Sequence, residues 1–486
     1  MTEERVGRSV GLSLVCVVLL SCGGGNGSGG SGGGSGRPGG GGNGGHAAGG
    51  NGGSGLGGGG GGSTGKGGGG GSTGGAAGSH AGAGGQGGRA GENAGGSGGA
   101  GGKGGAAGAG VGGAGAGGAG VGGAGVGGAG VGGSGVGGGA GTSPTPNTFV
   151  ATGMMGQYRR YHTATLLPNG TVLIAGGGQD ENGVHPTAEI YDPTSGTFSP
   201  TGPLITDREA HTATLLSNGT VLIAGGVGTT FLASAEIYDP STGTFMSAGS
   251  MVIPRNGAEA AVLPGGKVLI VGGQNATDQT TATAEIYDPA TGMFTATGSL
   301  GAARYYHTVT ALASGKVLVA GGMATPPNAF ASAELYDPAS GTFSPTGAME
   351  TAREDHSATL LANGKVLIAG GGPWGSSPAS GSAEIYDPTA GTFSSAGSLL
   401  VATEAHTSTL LADGTVLIAG GFNFDETYFS NAEIYNPTTN TFKATGSMVD
   451  ARGIQSATAL TNRSVLMAGG TDGSSMGWDT AELYFY

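Results

Sequence analysis

The residues best suited to chemistry in this chain come in sets. Six histidines lie beyond residue 145, and five of them share one position of a recurring motif: His162, His211, His307, His356 and His406. Ala258 and Gln455 take that position in the third and seventh copies. Three residues earlier stand Arg159, Arg208, Arg255, Arg304, Arg353 and Arg452, with Thr403 in the sixth copy. A glutamate recurs further on in every copy: Glu189, Glu236, Glu285, Glu334, Glu384, Glu433 and Glu482. Imidazoles in a ring suggest a metal, and recurring Glu and Arg suggest acid/base work. Both ideas weaken on inspection. A residue fixed by repeat register usually serves the repeat, and imidazoles on separate strands stand too far apart for one ion's ligand sphere of about 2 Å. The histidines are expected to hydrogen-bond within their own unit or to the next. Each arginine is expected to pair with a glutamate, because a buried carboxylate needs a partner.

The elements that carry these sets follow from the repeat. The period is about 49 residues, marked by glycine doublets from Gly176-Gly177 to Gly469-Gly470 and by seven Ala-Glu-Ile/Leu-Tyr tetrads, Ala188–Tyr191 through Ala481–Tyr484. A period of that size with short strands and regular turns indicates a β-propeller. The second unit shows the parse. His211–Leu216 is strand a, Asn218-Gly219 a tight hairpin turn, and 220–224 an apolar strand b. Ala235–Tyr238 is strand c, Asp239-Pro240-Ser241-Thr242-Gly243 a turn, and Thr244-Phe245 opens strand d. The seventh unit stops at Tyr486 without a strand d, while Asn147-Thr148-Phe149 matches a strand d with no unit before it. The N-terminal strand is therefore expected to complete the seventh blade and leave no open edge, in a monomeric ring.

The pattern Arg-x-x-His-[Thr/Ser]-Ala-x-Leu-Leu-x-Asn-Gly-x-Val-Leu-Ile-Ala-Gly-Gly, followed by Ala-Glu-Ile-Tyr-Asp-Pro and Gly-Thr-Phe, resembles the kelch repeat in the variety seen in the galactose oxidase central domain. The resemblance runs through residues 147–486 and implies an all-β, seven-bladed propeller. It implies little about activity, because this fold hosts oxidases, isomerase-like enzymes and pure binding domains. The copper chemistry of galactose oxidase needs a tyrosine cross-linked to a cysteine, and the only cysteines here are Cys16 and Cys22. No cofactor and no metal are expected. There is also no P-loop and no H-E-x-x-H.

Function in a repeat fold belongs where the repeats differ. The resemblance places the b–c and d–a loops on one face, around the central channel. Before strand a lie Tyr158, Arg160, Tyr161, Asp207, Glu209, Tyr305, Tyr306, Glu354 and Asp355; after strand b lie Trp374, Phe424 and Trp478. Aromatics with carboxylates suit stacking on sugars or holding a basic peptide. The expected function is non-enzymatic binding of a protein or glycan. The alternative is a carbohydrate- or cell-wall-active enzyme using acids such as Asp207, Glu354 and Asp355.

The chain before the propeller sets its location. Arg5 and Arg8 precede an apolar run from Ser9 to Leu20, too short to span a bilayer but suited to a signal peptide. Leu19-Leu20-Ser21-Cys22 resembles the bacterial lipobox, which implies removal of residues 1–21 and lipidation of Cys22, with outer-membrane or cell-surface display favoured. Of 118 glycines, 73 precede Ser143. Residues 22–145 therefore read as a flexible tether of about 60 Å, with self-association of its Gly-Ala-Gly-Val-Gly stretch as an alternative. From Ser143 onward 28 acidic residues face 12 basic ones, which excludes nucleic acid as a partner and favours basic ligands.

Overall fold

The computed structural model describes residues 145–180, 183–325, 328–373, 379–474 and 477–486. The expected signal, lipobox and tether, and Trp374, lie outside the described residues. The propeller is all-β: seven four-stranded antiparallel sheets, with no helix among the described residues. Six blades are built from consecutive strands. The seventh runs Ser456–Ala459, Ser464–Ala468, Ala481–Phe485 and then Thr148–Ala151 from the other end of the chain. Thr148 pairs with Phe485 and Ala151 with Glu482, so the N-terminal strand closes the ring as the mismatched ends required.

In the second blade the strands are Thr212–Leu215, Val221–Ala224, Ser234–Asp239 and Thr244–Ser250, close to the parse from sequence. The a–b connection is one residue longer than a two-residue hairpin. Gly219 donates to Leu216 and sits at φ 85°, the left-handed end of a three-residue loop. Asn218 serves the loop through its side chain, which accepts hydrogen bonds from the amide and hydroxyl of Thr220.

Strand b explains why blades stack. In the first blade Val172 and Ile174 pack with Leu466 and Ala468 of the seventh, while Leu173 and Ala175 pack with Val221 and Ile223 of the second. Period-two alternation thus feeds two cores from one strand, which is why it reads apolar at every position. Each fully buried aliphatic side chain contributes about 1.5–3 kcal/mol. Further out, the tetrad tyrosine packs at a tilt against the strand d phenylalanine of its blade, as in Tyr238–Phe245 at 4.8 Å. Its hydroxyl meets a threonine of the preceding blade, as in Thr201–Tyr238 at 2.9 Å.

The repeated polar sets are framework. Six arginines pair with the glutamate of their own blade, from 2.7 Å for Arg208–Glu236 to 3.1 Å for Arg304–Glu334, all buried. Each guanidinium also donates to the carbonyl of the first doublet glycine and to the residue before the tetrad; for Arg255 these are Gly272 and Thr283, each at 2.8 Å. Four of the five repeated histidines join blades through a serine or threonine hydroxyl; His307 does not. His211 bonds Thr163 at 2.9 Å, His356 bonds Thr308 at 3.0 Å, and His406 bonds Ser357 at 2.9 Å, in each case on the preceding blade. A Cβ on Gly370 would lie 2.6 Å from the ring of His406, so the doublet must be glycine where the next histidine packs.

Candidate functional site

The site grows out of two positions that follow each framework arginine. At the first, Arg160, Glu209, Asn256, Tyr305, Glu354, Glu404 and Gly453 each form an antiparallel bridge to the residue after their blade's glycine doublet. This ties every d–a loop to the b–c loop of the same blade and puts both on one face.

At the second position stand Tyr161, Ala210, Gly257, Tyr306, Asp355, Ala405 and Ile454, all with φ between 50° and 61°. Their backbones form a belt around the ring: the amides of Ala210, Gly257, Asp355, Ala405 and Ile454 donate to the same position of the preceding blade. A left-handed conformation costs a non-glycine residue roughly 1–2 kcal/mol. Only Gly257 avoids that cost. Tyr161, Tyr306 and Asp355 bear it while carrying large or charged side chains into the channel mouth.

These side chains converge. The tyrosyl group of Tyr161 in the first blade is influenced by Asp355 of the fifth, and Tyr306 of the fourth by Tyr161, although the blades lie on opposite sides of the ring. The rings of Tyr305 and Tyr306 lie 4.1 Å apart at a tilt, and the Arg160 guanidinium lies 5.9 Å from the ring of Tyr161. Burial raises both tyrosines, with Asp355 adding to the effect on Tyr306.

The carboxyl groups carry the unusual electrostatics. Burial, then the charge of Glu404, pushes Glu354 up to about 9. Asp355 is raised well above the usual carboxylate range by burial, Glu354 and Glu404. Glu209 is pushed up to about 7 by burial, opposed by Arg160. At neutral pH Glu354 and Asp355 therefore keep protons that isolated carboxyls would release. Glu354 is 3 % exposed, and its Oε2, like Asp355 Oδ1, has no hydrogen-bond partner within the protein. Such an arrangement can donate protons or receive a cationic or hydroxylated group.

The structure thus brings together Arg160, Tyr161, Glu209, Tyr305, Tyr306, Glu354 and Asp355 of the residues selected from sequence. Tyr305 is buried, and reaches the site through its ring contact with Tyr306. Tyr158, Asp207, Phe424 and Trp478 are half-buried in the surrounding loops. Trp478 bridges the seventh blade to Arg159 of the first through its backbone. Phe422 and Tyr428, rings 4.9 Å apart, cover Gly453, where a Cβ would lie 2.7 Å from Phe422. The belt itself escaped the sequence reading, because only one of its seven members is a glycine. Among the described residues no three His, Cys, Asp or Glu side chains are placed to hold a metal ion.

Comparison with known proteins agrees with this architecture. The family model described as "Kelch motif" matches residues 210–252, 255–296 and 405–449, within the second, third and sixth blades. Among solved structures, the propeller is similar to a fungal alcohol oxidase of the AA5 family in complex with copper. That match has 16% identity and a TM-score of 0.57 and covers 69% of this chain and 75% of that one. YjhT also matches, at 15% identity and a TM-score of 0.49, over 60% of this chain and 98% of that one. No curated protein matches. The chain carries kelch motifs on a seven-bladed propeller, and its fold is similar to that of the AA5-family alcohol oxidase.

Proposed function

We propose that this propeller is a binding module, held outside the cytoplasm by a lipid on Cys22, that takes a protein or glycan ligand at the loop face. The observation that carries this reading is the belt. Three left-handed positions hold Tyr161, Tyr306 and Asp355 at an energetic cost, next to the buried Glu354 carboxyl. Aromatic rings beside proton-bearing carboxyls suit a ligand that offers a stacking face and hydroxyl or amino groups. The acidic excess of the propeller favours an amino-bearing or basic ligand.

Copper chemistry is not carried over from the structurally similar oxidase. No cysteine follows Cys22. His162, His211, His356 and His406 are each engaged by a serine or threonine of the neighbouring blade. The donor set does not fit a copper site.

The test is a glycan and peptide array probed with the soluble chain. Trp478 lies in a b–c loop of this face, so a ligand there also shifts tryptophan emission. Binding that survives Tyr306→Ala and Asp355→Asn together, with unchanged emission, would place the ligand elsewhere. Glu354, protonated at neutral pH, favours one second reading, a general acid acting on a sugar polymer. Turnover of such a polymer that disappears in Glu354→Gln would replace the binding reading with the enzymatic one. For the anchor, the parent chain is expected in the membrane fraction and Cys22→Ser in the soluble one; equal partition of the two defeats the lipid assignment.

A further inference from the structure

Six blades bury an arginine beside their tetrad glutamate; the sixth does not. Thr403 takes the arginine position, and Asn431 takes the position where the other six carry Thr or Ser. A small, solvent-open cleft lies there, lined among others by Thr403, Gly420, Phe429, Asn431 and Glu433. The remaining partners of a guanidinium are in place. In sister blades its nitrogens donate to the first doublet glycine, to the residue before the tetrad and to the glutamate: for Arg353, Gly370 at 2.6 Å, Ser382 at 2.9 Å and Glu384 at 2.9 Å. The sixth blade keeps the equivalents as Gly420, Asn431 and Glu433. It also keeps an aromatic wall. In the fourth blade the Arg304 guanidinium lies 4.9 Å from the ring of Phe330, two residues before Ser332, and Phe429 stands two residues before Asn431.

Among the described residues nothing replaces the cation. Thr403 reaches only backbone carbonyls, among them Gly420 at 3.1 Å. The Glu433 carboxylate accepts hydrogen bonds from the amides of Leu400 and Val401, at 2.9 to 3.2 Å. Asn431 is exposed, and Val401 and Phe429 are half-buried, so the cleft is reached from solvent. We infer that the sixth blade binds a guanidinium group presented by a ligand, seated as the internal arginines of its sister blades are seated. Carboxylate, carbonyl oxygens and an aromatic face together select a planar, multiply donating cation over a point-like ammonium. This inference stands apart from the channel-mouth reading.

The experiment titrates the purified full chain with N-acetyl-arginine amide, N-acetyl-lysine amide and an arginine-centred pentapeptide, reading calorimetric binding and the shift in Tm. Saturable binding of the arginine amide is expected at millimolar concentrations. Glu433→Gln should weaken it about tenfold or more, the loss of one charge-assisted pair. Thr403→Arg should abolish it and raise Tm by roughly 5 °C, because the chain then fills the cleft itself. Tighter binding of the pentapeptide assigns the group to a protein partner, and equal binding to a small guanidinium compound; both support the site. No binding up to about 50 mM, equal affinity for the lysine amide, or unchanged binding in Thr403→Arg would overturn it. Thr403→Arg decides the matter even if Glu433→Gln fails to fold.

Discussion

The rings of Phe149 and Tyr484 lie 4.8 Å apart, although 335 residues separate them in the chain. The same tilted tyrosine–phenylalanine contact recurs in the other six blades, at 4.8 to 4.9 Å, between strands joined by a short turn. In the seventh blade it joins the two ends of the propeller, backed by Thr152 donating its amide to Ala481 and bonding Tyr191 through its hydroxyl.

Closure should therefore depend on this contact. Phe149→Ala is expected to cost about 2 kcal/mol, below the range for a fully buried phenylalanine because this ring is half-buried. Truncation through residue 152 should cost more and expose a strand edge that promotes association. Urea unfolding and light scattering check both. A loss no larger than that of Val150→Ala, at an exposed position of the same strand, would show that closure adds little.

The arginine–glutamate pairs make an internal comparison possible. Glu285→Gln leaves the buried Arg255 guanidinium without its counter-charge and should cost about 3 kcal/mol. Glu433→Gln has no guanidinium to strand and should cost less than about 1 kcal/mol. Equal losses in denaturant unfolding would mean that the carboxyl serves the backbone amides rather than the arginine.

Acid should unfold the propeller through its histidines. Burial, with nearby arginine charge, holds His162 and His307 down to about 3; burial holds His406 to about 4. The unfolded chain takes up these protons near pH 6.5 and the native one only near pH 3–4. Stability is therefore full above pH 6.5 and falls as pH drops toward 4, with a limiting slope of about 1.4 kcal/mol per pH unit per histidine. His406→Gln, which copies Gln455 of the seventh blade, should flatten this decline in a pH series of unfolding midpoints. An unchanged slope contradicts the argument.

The mouth carboxyls should act in the opposite direction. Glu354 and Glu209 hold protons up to about pH 9 and 7 in the native state, while the unfolded chain releases them near pH 4.5. Their contribution is present below pH 4.5 and is lost as pH rises toward 9. Glu354→Gln should therefore gain stability relative to the parent as pH rises from 5 to 9. Parallel pH profiles for parent and variant would refute this.

The sequence alone determined the propeller, its seven blades and its closure, because those follow from local signals repeated with one period. Strand b shows its double burial as an unbroken apolar run, and Thr148-Phe149 shows itself as a strand d without a blade. It also separated framework from candidate site, since His211, Arg208 and Glu236 recur while Tyr306 and Asp355 do not. The convergence was decided only by the tertiary structure. Tyr161 and Asp355 lie 194 residues apart, and no local pattern relates them. Their left-handed backbone arises from hydrogen bonds between blades rather than from a glycine that could be read in the sequence. The cleft beside Glu433 combines both sources. Thr403 and Asn431 are visible as departures from the repeat, but their common consequence appears only once strand pairing sets them around one carboxylate.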